Sequence, residues 1–244
     1  MDHVNVRTFK GPAEAARAVA RIIADRLERH PTSVLGLPTG RTAAPVYEAL
    51  ARRRPDFSRA HTFNLDEFVG LPPGDPRSFR AFMHQHLFSR VNIPRAHLHL
   101  LDGAARDLDA ECARFERAIA AAGGIDLLIL GIGANGHIGF NEPGKALFLR
   151  THRARLTLGT RRANAGPFGG RVSSVPREAL SMGMGTLLAA RAIVLVATGR
   201  SKARAIRRML AGRITPALPA SFLQLHDDVR LILDRAAAER LSQV

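Results

Sequence analysis

Cysteine is nearly absent. Cys112 stands alone, so no intramolecular disulfide can form, and 244 residues without a disulfide framework fit a reducing compartment. Tryptophan is missing and tyrosine occurs once, which leaves little on which to stack nucleic-acid bases. Lysine is scarce: Lys10, Lys145 and Lys202 are the only three among 36 basic residues. No apolar run approaches the roughly 18 residues of a membrane span. The longest, Ile193 to Ala197, has the length of a buried strand. Met1 to Val6 lacks the basic and apolar regions of a secretory leader. These absences point to a cytoplasmic protein with no membrane partner.

What is abundant is arginine, and with it a net charge of +15. A strongly basic balance raises a nucleic-acid reading. Here the arginines are scattered along the chain, not gathered in one arm or helix, and no nucleic-acid module is present. A compositional bias toward arginine and alanine explains them, so no nucleic-acid partner is expected. The charge still favours an anionic substrate. With 46% hydrophobic residues and no linker-like run, residues 1–244 read as a single domain.

Helical and strand patterns alternate along it. Helical spacing covers 13–30, 43–53, 78–88, 108–122, 201–210 and 235–241. Short apolar runs at 33–37, 62–65, 97–101, 125–131, 191–197 and 229–233 read as strands. Residues 144–175 are less regular. The alternation predicts an α/β fold: a Rossmann-like, doubly wound, mostly parallel sheet with helices on both faces. Ligands in such sheets bind at the carboxyl ends of strands, so the turns after strands carry the functional expectation.

Four such turns stand out. Gly36-Leu-Pro-Thr-Gly-Arg-Thr42 opens a helix, and free N–H groups and the helix dipole suit a phosphate there. An ordinary turn capped by Thr39 or Thr42 is the alternative. It is not a P-loop, because the Gly-Lys-Ser/Thr ending is missing. Asp66 and Glu67 follow the strand at 62–65. A carboxylate partly desolvated at a strand end becomes a usable general base; the alternative is that one caps a turn and the other is solvated. Gly131 to Pro143 packs four glycines, two asparagines, His137 and Glu142 into thirteen residues. Glycines let backbone approach a ligand, and histidine is the side chain that ordinarily titrates near neutral pH. Lys202 lies at a helix start, where the dipole disfavours a cation unless an anion binds.

Phe63-Asn-Leu-Asp-Glu-Phe-Val-Gly-Leu71, Gly133-Ala-Asn-Gly-His-Ile-Gly-Phe-Asn-Glu-Pro143 and Leu35-Gly-Leu-Pro-Thr-Gly40 resemble the glucosamine-6-phosphate deaminase (isomerase) family. Shorter similarities at 101–103, 109–112, 160–164, 175–176, 183–186 and 222–226 extend the resemblance along nearly the whole chain, in order. The resemblance implies a phosphorylated amino sugar as partner, no cofactor and no metal. It implies conversion of glucosamine 6-phosphate and water to fructose 6-phosphate and ammonia. Asp66 would move the proton between C2 and C1, and His137 would open the sugar ring. Asn135 and Glu142 would hold and tune His137. Thr39, Gly40, Arg41, Thr42 and Lys202 would bind the phosphate.

Two departures bear on the sugar. Asn135 cannot supply charge to an imidazolium, so that task falls on Glu142. An arginine that often grips the phosphate in relatives falls here on Gly166, and Arg41 or Arg171 is the candidate replacement. A related sugar such as galactosamine 6-phosphate therefore stays open. The basic residues that some relatives use for allosteric activation are not matched at 145–155, so no such activation is expected. A 6-phosphogluconolactonase and a non-catalytic sugar-phosphate sensor are weaker readings. The lactonase is disfavoured because His137 is followed by Ile138-Gly-Phe-Asn-Glu-Pro143, the sensor because no helix-turn-helix precedes Ser33. A homo-oligomer is open.

Overall fold

A computed structural model describes residues 4–241. Residues 1–3, part of the leader reading, and residues 242–244 lie outside the described part. The chain begins with strand β1 (Val4–Phe9) and helix α1 (Pro12–Arg29). Then come β2 (Val34–Leu37), α2 (Ala43–Arg52), β3 (His61–Asn64), β4 (Asp66–Phe68), α3 (Phe79–His86) and β5 (Leu98–His99). The middle holds α4 (Leu108–Ala121), β6 (Leu127–Leu130), β7 (His152–Arg155), α5 (Leu158–Ala163), β8 (Glu178–Ser181) and α6 (Met184–Leu188). β9 (Ile193–Ala197), α7 (Ala203–Ala211), β10 (Val229–Asp234) and α8 (Arg235–Ala238) complete it.

Seven strands form one all-parallel sheet in the order β1-β10-β9-β6-β2-β3-β5. Alternate residues of its strands feed two cores. Leu35, Leu37, Ile129, Val194 and Val196 pack with α1 and α2 on one face. Phe63, Leu128, Leu130, Leu195 and Leu231 pack with α4 and α7 on the other. Burial on both faces is why β2, β6 and β9 are apolar at nearly every position. The expectation of a doubly wound α/β sheet therefore holds.

Local chemistry sets the helices. Pro12 at the start of α1 already has a helical φ and loses no bond there. Glu14 in its first turn and Arg26 and Arg29 in its last complement the dipole. Ser78 caps α3, its hydroxyl accepting from the Ala81 N–H at 3.1 Å. Thr42 makes no side-chain cap on α2.

The sequence reading did not anticipate β1 or a second, three-stranded antiparallel sheet, β4-β8-β7. β1 is an edge strand with mostly exposed residues. β4 has three residues and follows β3 after Leu65 alone, and β7 reads His-Arg-Ala-Arg with one buried position. None of them carries a long apolar signal. Phe68, Phe140, Ala154, Leu156 and Phe168 form a small core beneath this sheet. No described helix is long and apolar enough to cross a membrane.

The topology fixes where a site can form. From β2 the chain steps to β3 and β5 on one side, then returns through β6 to β9 and β10 on the other. The crevice beyond the carboxyl ends of β2 and β6 is the switch point. The four turns singled out from sequence follow β3, β2, β6 and β9, which are consecutive neighbours in the sheet.

Gly103 holds the two sheets in register. A Cβ there would overlap the carbonyl oxygen of Phe68, and the Gly103 carbonyl accepts from the Gly70 N–H at 2.9 Å. Gly103→Ala is expected to destabilise the fold by about 3 kcal/mol, an overpacking cost. Denaturant unfolding of the two proteins checks this, and equal midpoints would contradict it.

Candidate active site

Asp66 opens β4 at the exit of β3, where its backbone is set by pairing with Ser181 of β8. Its side chain is 8% exposed. Burial, followed by the neighbouring charge of Glu67, raises its pKa to about 8. Its Oδ1 has no hydrogen-bond partner among the described residues. Five buried side-chain atoms share that condition, and four of them lie on Thr62, Asn64 and Asp66. Buried polar atoms are normally paired, so such a concentration marks a functional segment. Tyr47, fully buried on α2, senses the same carboxylate: burial first, then Asp66, raises its pKa. Its hydroxyl donates to the Pro38 carbonyl in the turn after β2.

Glu67 has a different task. It accepts from the N–H groups of Phe68 at 2.8 Å, Phe79 at 3.0 Å and Arg80 at 2.8 Å, and so caps α3. One carboxylate of the pair is thus a helix cap. The other, Asp66, is buried and not solvated.

The turn after β6 wraps over this base. Gly136 adopts φ +91° and Gly139 φ +56°. A Cβ on Gly139 would lie 3.1 Å from Ser181 Oγ, a tight contact, and the positive φ itself favours glycine there. The Ser181 hydroxyl accepts from the Phe140 N–H at 3.0 Å and fastens the loop to β8. At Gly133 a Cβ would overlap the His137 ring.

His137 Nδ1 stands 3.6 Å from Glu142 Oε2 and 3.4 Å from Thr160 Oγ1. Glu142 also accepts from Asn135 Nδ2 at 2.9 Å, from Thr157 Oγ1 at 3.2 Å and from Thr160 Oγ1. Burial would raise the Glu142 carboxyl. His137, Thr160 and Asn135 together outweigh that and hold it at about 2. Asn135 reaches the ring only through Glu142; its Oδ1 accepts from the His137 backbone N–H at 3.2 Å.

The turns after β2 and β9 bring cations together. Gly40 adopts φ +102°, and its carbonyl accepts from Ala43 and Ala44 as α2 begins. The N–H groups of Thr39 to Thr42 have no intramolecular acceptor among the described residues. Lys202 lies in a 3-10 turn ahead of α7. Burial first, and then Arg41, lowers its pKa. Neither Arg41 nor Lys202 has an ion-pair partner among the described residues. Two mutually repelling cations beside open N–H groups are suited to an anion. Gly166, in a 3-10 turn, and exposed Arg171 have no recorded contact with either cation.

Three residues of this site had no role in the sequence reading: Thr160, Tyr47 and Ser181. Thr160 stood in a segment of recognised similarity, but its partnership with Glu142 spans 18 positions. Ser181 shows itself only through β4–β8 pairing. Among the described residues no group of three or more His, Cys, Asp or Glu side chains could hold a metal.

Comparison with known proteins adds an independent line. Residues 11–232 match the family model described as glucosamine-6-phosphate isomerases/6-phosphogluconolactonase. A glucosamine-6-phosphate deaminase of Halothermothrix orenii is 47% identical over 93% of this chain and 96% of its own length. One from Rhodopirellula baltica is 48% identical over 94% of this chain and 92% of its own. A solved structure described as a monomeric glucosamine-6-phosphate deaminase superposes with a TM-score of 0.93 at 41% identity, over 96% of this chain and 99% of that one.

Asp66 also predicts a stability effect. Its folded pKa lies above the unfolded value of 3.8, so the native state holds the proton more tightly and stability falls as pH rises from about 4 to about 8. Asp66→Asn removes that loss. The variant is expected to gain stability with rising pH, from near zero at about pH 4 to several kcal/mol above about pH 8. Thermal unfolding across this range measures it; a pH-independent difference would contradict the assignment.

Proposed function

The chain belongs to the glucosamine-6-phosphate isomerase/6-phosphogluconolactonase family, and we propose that it is an enzyme converting glucosamine 6-phosphate and water to fructose 6-phosphate and ammonia. The observation that carries this reading is the buried, unpartnered carboxylate of Asp66 under the His137 loop. Abstracting a proton from carbon needs a strong, desolvated base, and a carboxyl with a pKa of about 8 is one once ionised. Hydrolysis of a lactone needs no carbon-bound proton to be moved.

The phosphate rests on the open N–H groups of Thr39 to Thr42 with Arg41 and Lys202. Binding there, remote from the reacting carbons, supplies orientation. His137 takes the proton from the C1 hydroxyl and delivers it to the ring oxygen, opening the ring. Glu142, held ionised by its hydrogen bonds, stabilises the imidazolium that forms in between. Asp66 then removes the C2 proton while a proton from water reaches O1, giving an enolamine, and returns the C2 proton to C1. The double bond moves to the C2–N bond. Water adds to this imine, ammonia leaves, and the ketose phosphate remains. No step calls on a cofactor.

Ammonia release from glucosamine and galactosamine 6-phosphates, run beside δ-lactone hydrolysis, tests the reading. Turnover of an amino-sugar phosphate is expected; lactone hydrolysis without ammonia release would overturn it. Arg41→Gly is expected to raise KM about tenfold with kcat nearly unchanged, as loss of a charge-assisted phosphate contact should. Arg171→Ser is expected to leave both constants alone. The opposite pattern would move the phosphate grip to Arg171.

A further inference from the structure

A second concave surface lies away from the four catalytic turns. It is a cavity of about 700 Å³ between edge strand β1, the outer face of α1 and the first residues of β10. β1 stands three strands away from β6 in the sheet. Six guanidinium groups line it: Arg7, Arg17, Arg21, Arg29, Arg53 and Arg230. Glu14 and Asp25 are the carboxylates there, and both are engaged. Glu14 accepts from the Lys10 backbone N–H at 3.1 Å. Asp25 pairs with Arg21 at 3.5 Å. Arg230 is paired outward to Asp228 at 3.2 Å. Arg7, Arg17, Arg29 and Arg53 have no ion-pair partner among the described residues.

Arginines scattered on a convex surface are separated and fully hydrated. Converging on one concavity, they raise the local positive potential, because the low-dielectric walls focus the field. Phe9, Ala18 and Ile22 give the same cavity apolar wall. The Arg7 guanidinium lies 5.4 Å from the centre of the Phe9 ring, a plane against which a flat ring can stack. The core side of α1 does not require these arginines, because its buried residues are alanines, Val19, Ile23 and Leu27.

We propose that this cavity is a second, non-catalytic site for a nucleoside triphosphate. The volume suits a ligand of that size. The phosphate chain meets the guanidinium forks of Arg17, Arg29 and Arg53, and the base lies on the wall formed by Phe9, Ile22 and the Arg7 plane. The site is separate from the phosphate grip at Arg41 and Lys202 and does not rest on the function proposed above.

Calorimetric titration of the full chain with ATP, inorganic tripolyphosphate and inorganic phosphate, at low and near-physiological salt, tests it. ATP is expected to bind more tightly than tripolyphosphate, and inorganic phosphate least. Arg17→Ser/Arg53→Ser is expected to weaken ATP at least about tenfold, the loss of two charge-assisted contacts. Lys202→Ala is expected to leave ATP binding unchanged, as is Arg95→Ser/Arg106→Ser, which removes equal charge from outside the cavity. Four results would overturn the proposal: no ATP binding, loss with Lys202→Ala, equal weakening by both double variants, or tripolyphosphate binding as tightly as ATP. The last two would mean attraction by charge alone. Circular dichroism of the double variants confirms that each is folded before titration.

Discussion

The arrangement depends on one buried carboxyl group. Asp66 sits at the carboxyl end of β3 with one oxygen unpartnered, in a place where burial first, and then Glu67, pushes its proton affinity up. Such a group is costly to ionise, and most of the nearby structure serves to hold it there. Antiparallel pairing with Ser181 fixes its backbone. Glu67 ties the following residues to the start of α3. Gly139 of the His137 loop, at a φ that favours glycine, lies near the carboxylate.

The second carboxylate is tuned the other way. Glu142 is also largely removed from water, yet hydroxyl, amide and imidazole partners hold it down to about 2. Two acids on strand-ending turns are thus driven apart in proton affinity by environment alone. Asn135 belongs to this scheme as a donor to Glu142 and not as a charge. Beyond both lie Arg41 and Lys202, two cations beside the open N–H groups ahead of α2.

Much of this was legible in sequence because parallel, doubly buried strands write continuous apolar runs and functional turns follow them. β2, β3, β6 and β9 were readable for that reason, and their neighbourhood at the switch point follows from strand order. The antiparallel sheet was not legible. β4 is too short and β7 too polar to show a period, and β4 pairs with β8 across more than a hundred positions. Thr160 and Ser181 were missed with it, because each acts through a contact that only that sheet and its flanking segment create. Likewise, sequence alone left open which of Asp66 and Glu67 caps a turn; the start of α3, twelve residues on, assigns the cap to Glu67.

The central claim is that Asp66 is a desolvated base in the ligand-free protein. Its titration can be followed directly from the carboxyl ¹³C chemical shifts of aspartate-labelled protein, with Asp66→Asn identifying the signal. A midpoint near pH 8 is expected. A midpoint near 4, the ordinary carboxylate range, would contradict the account.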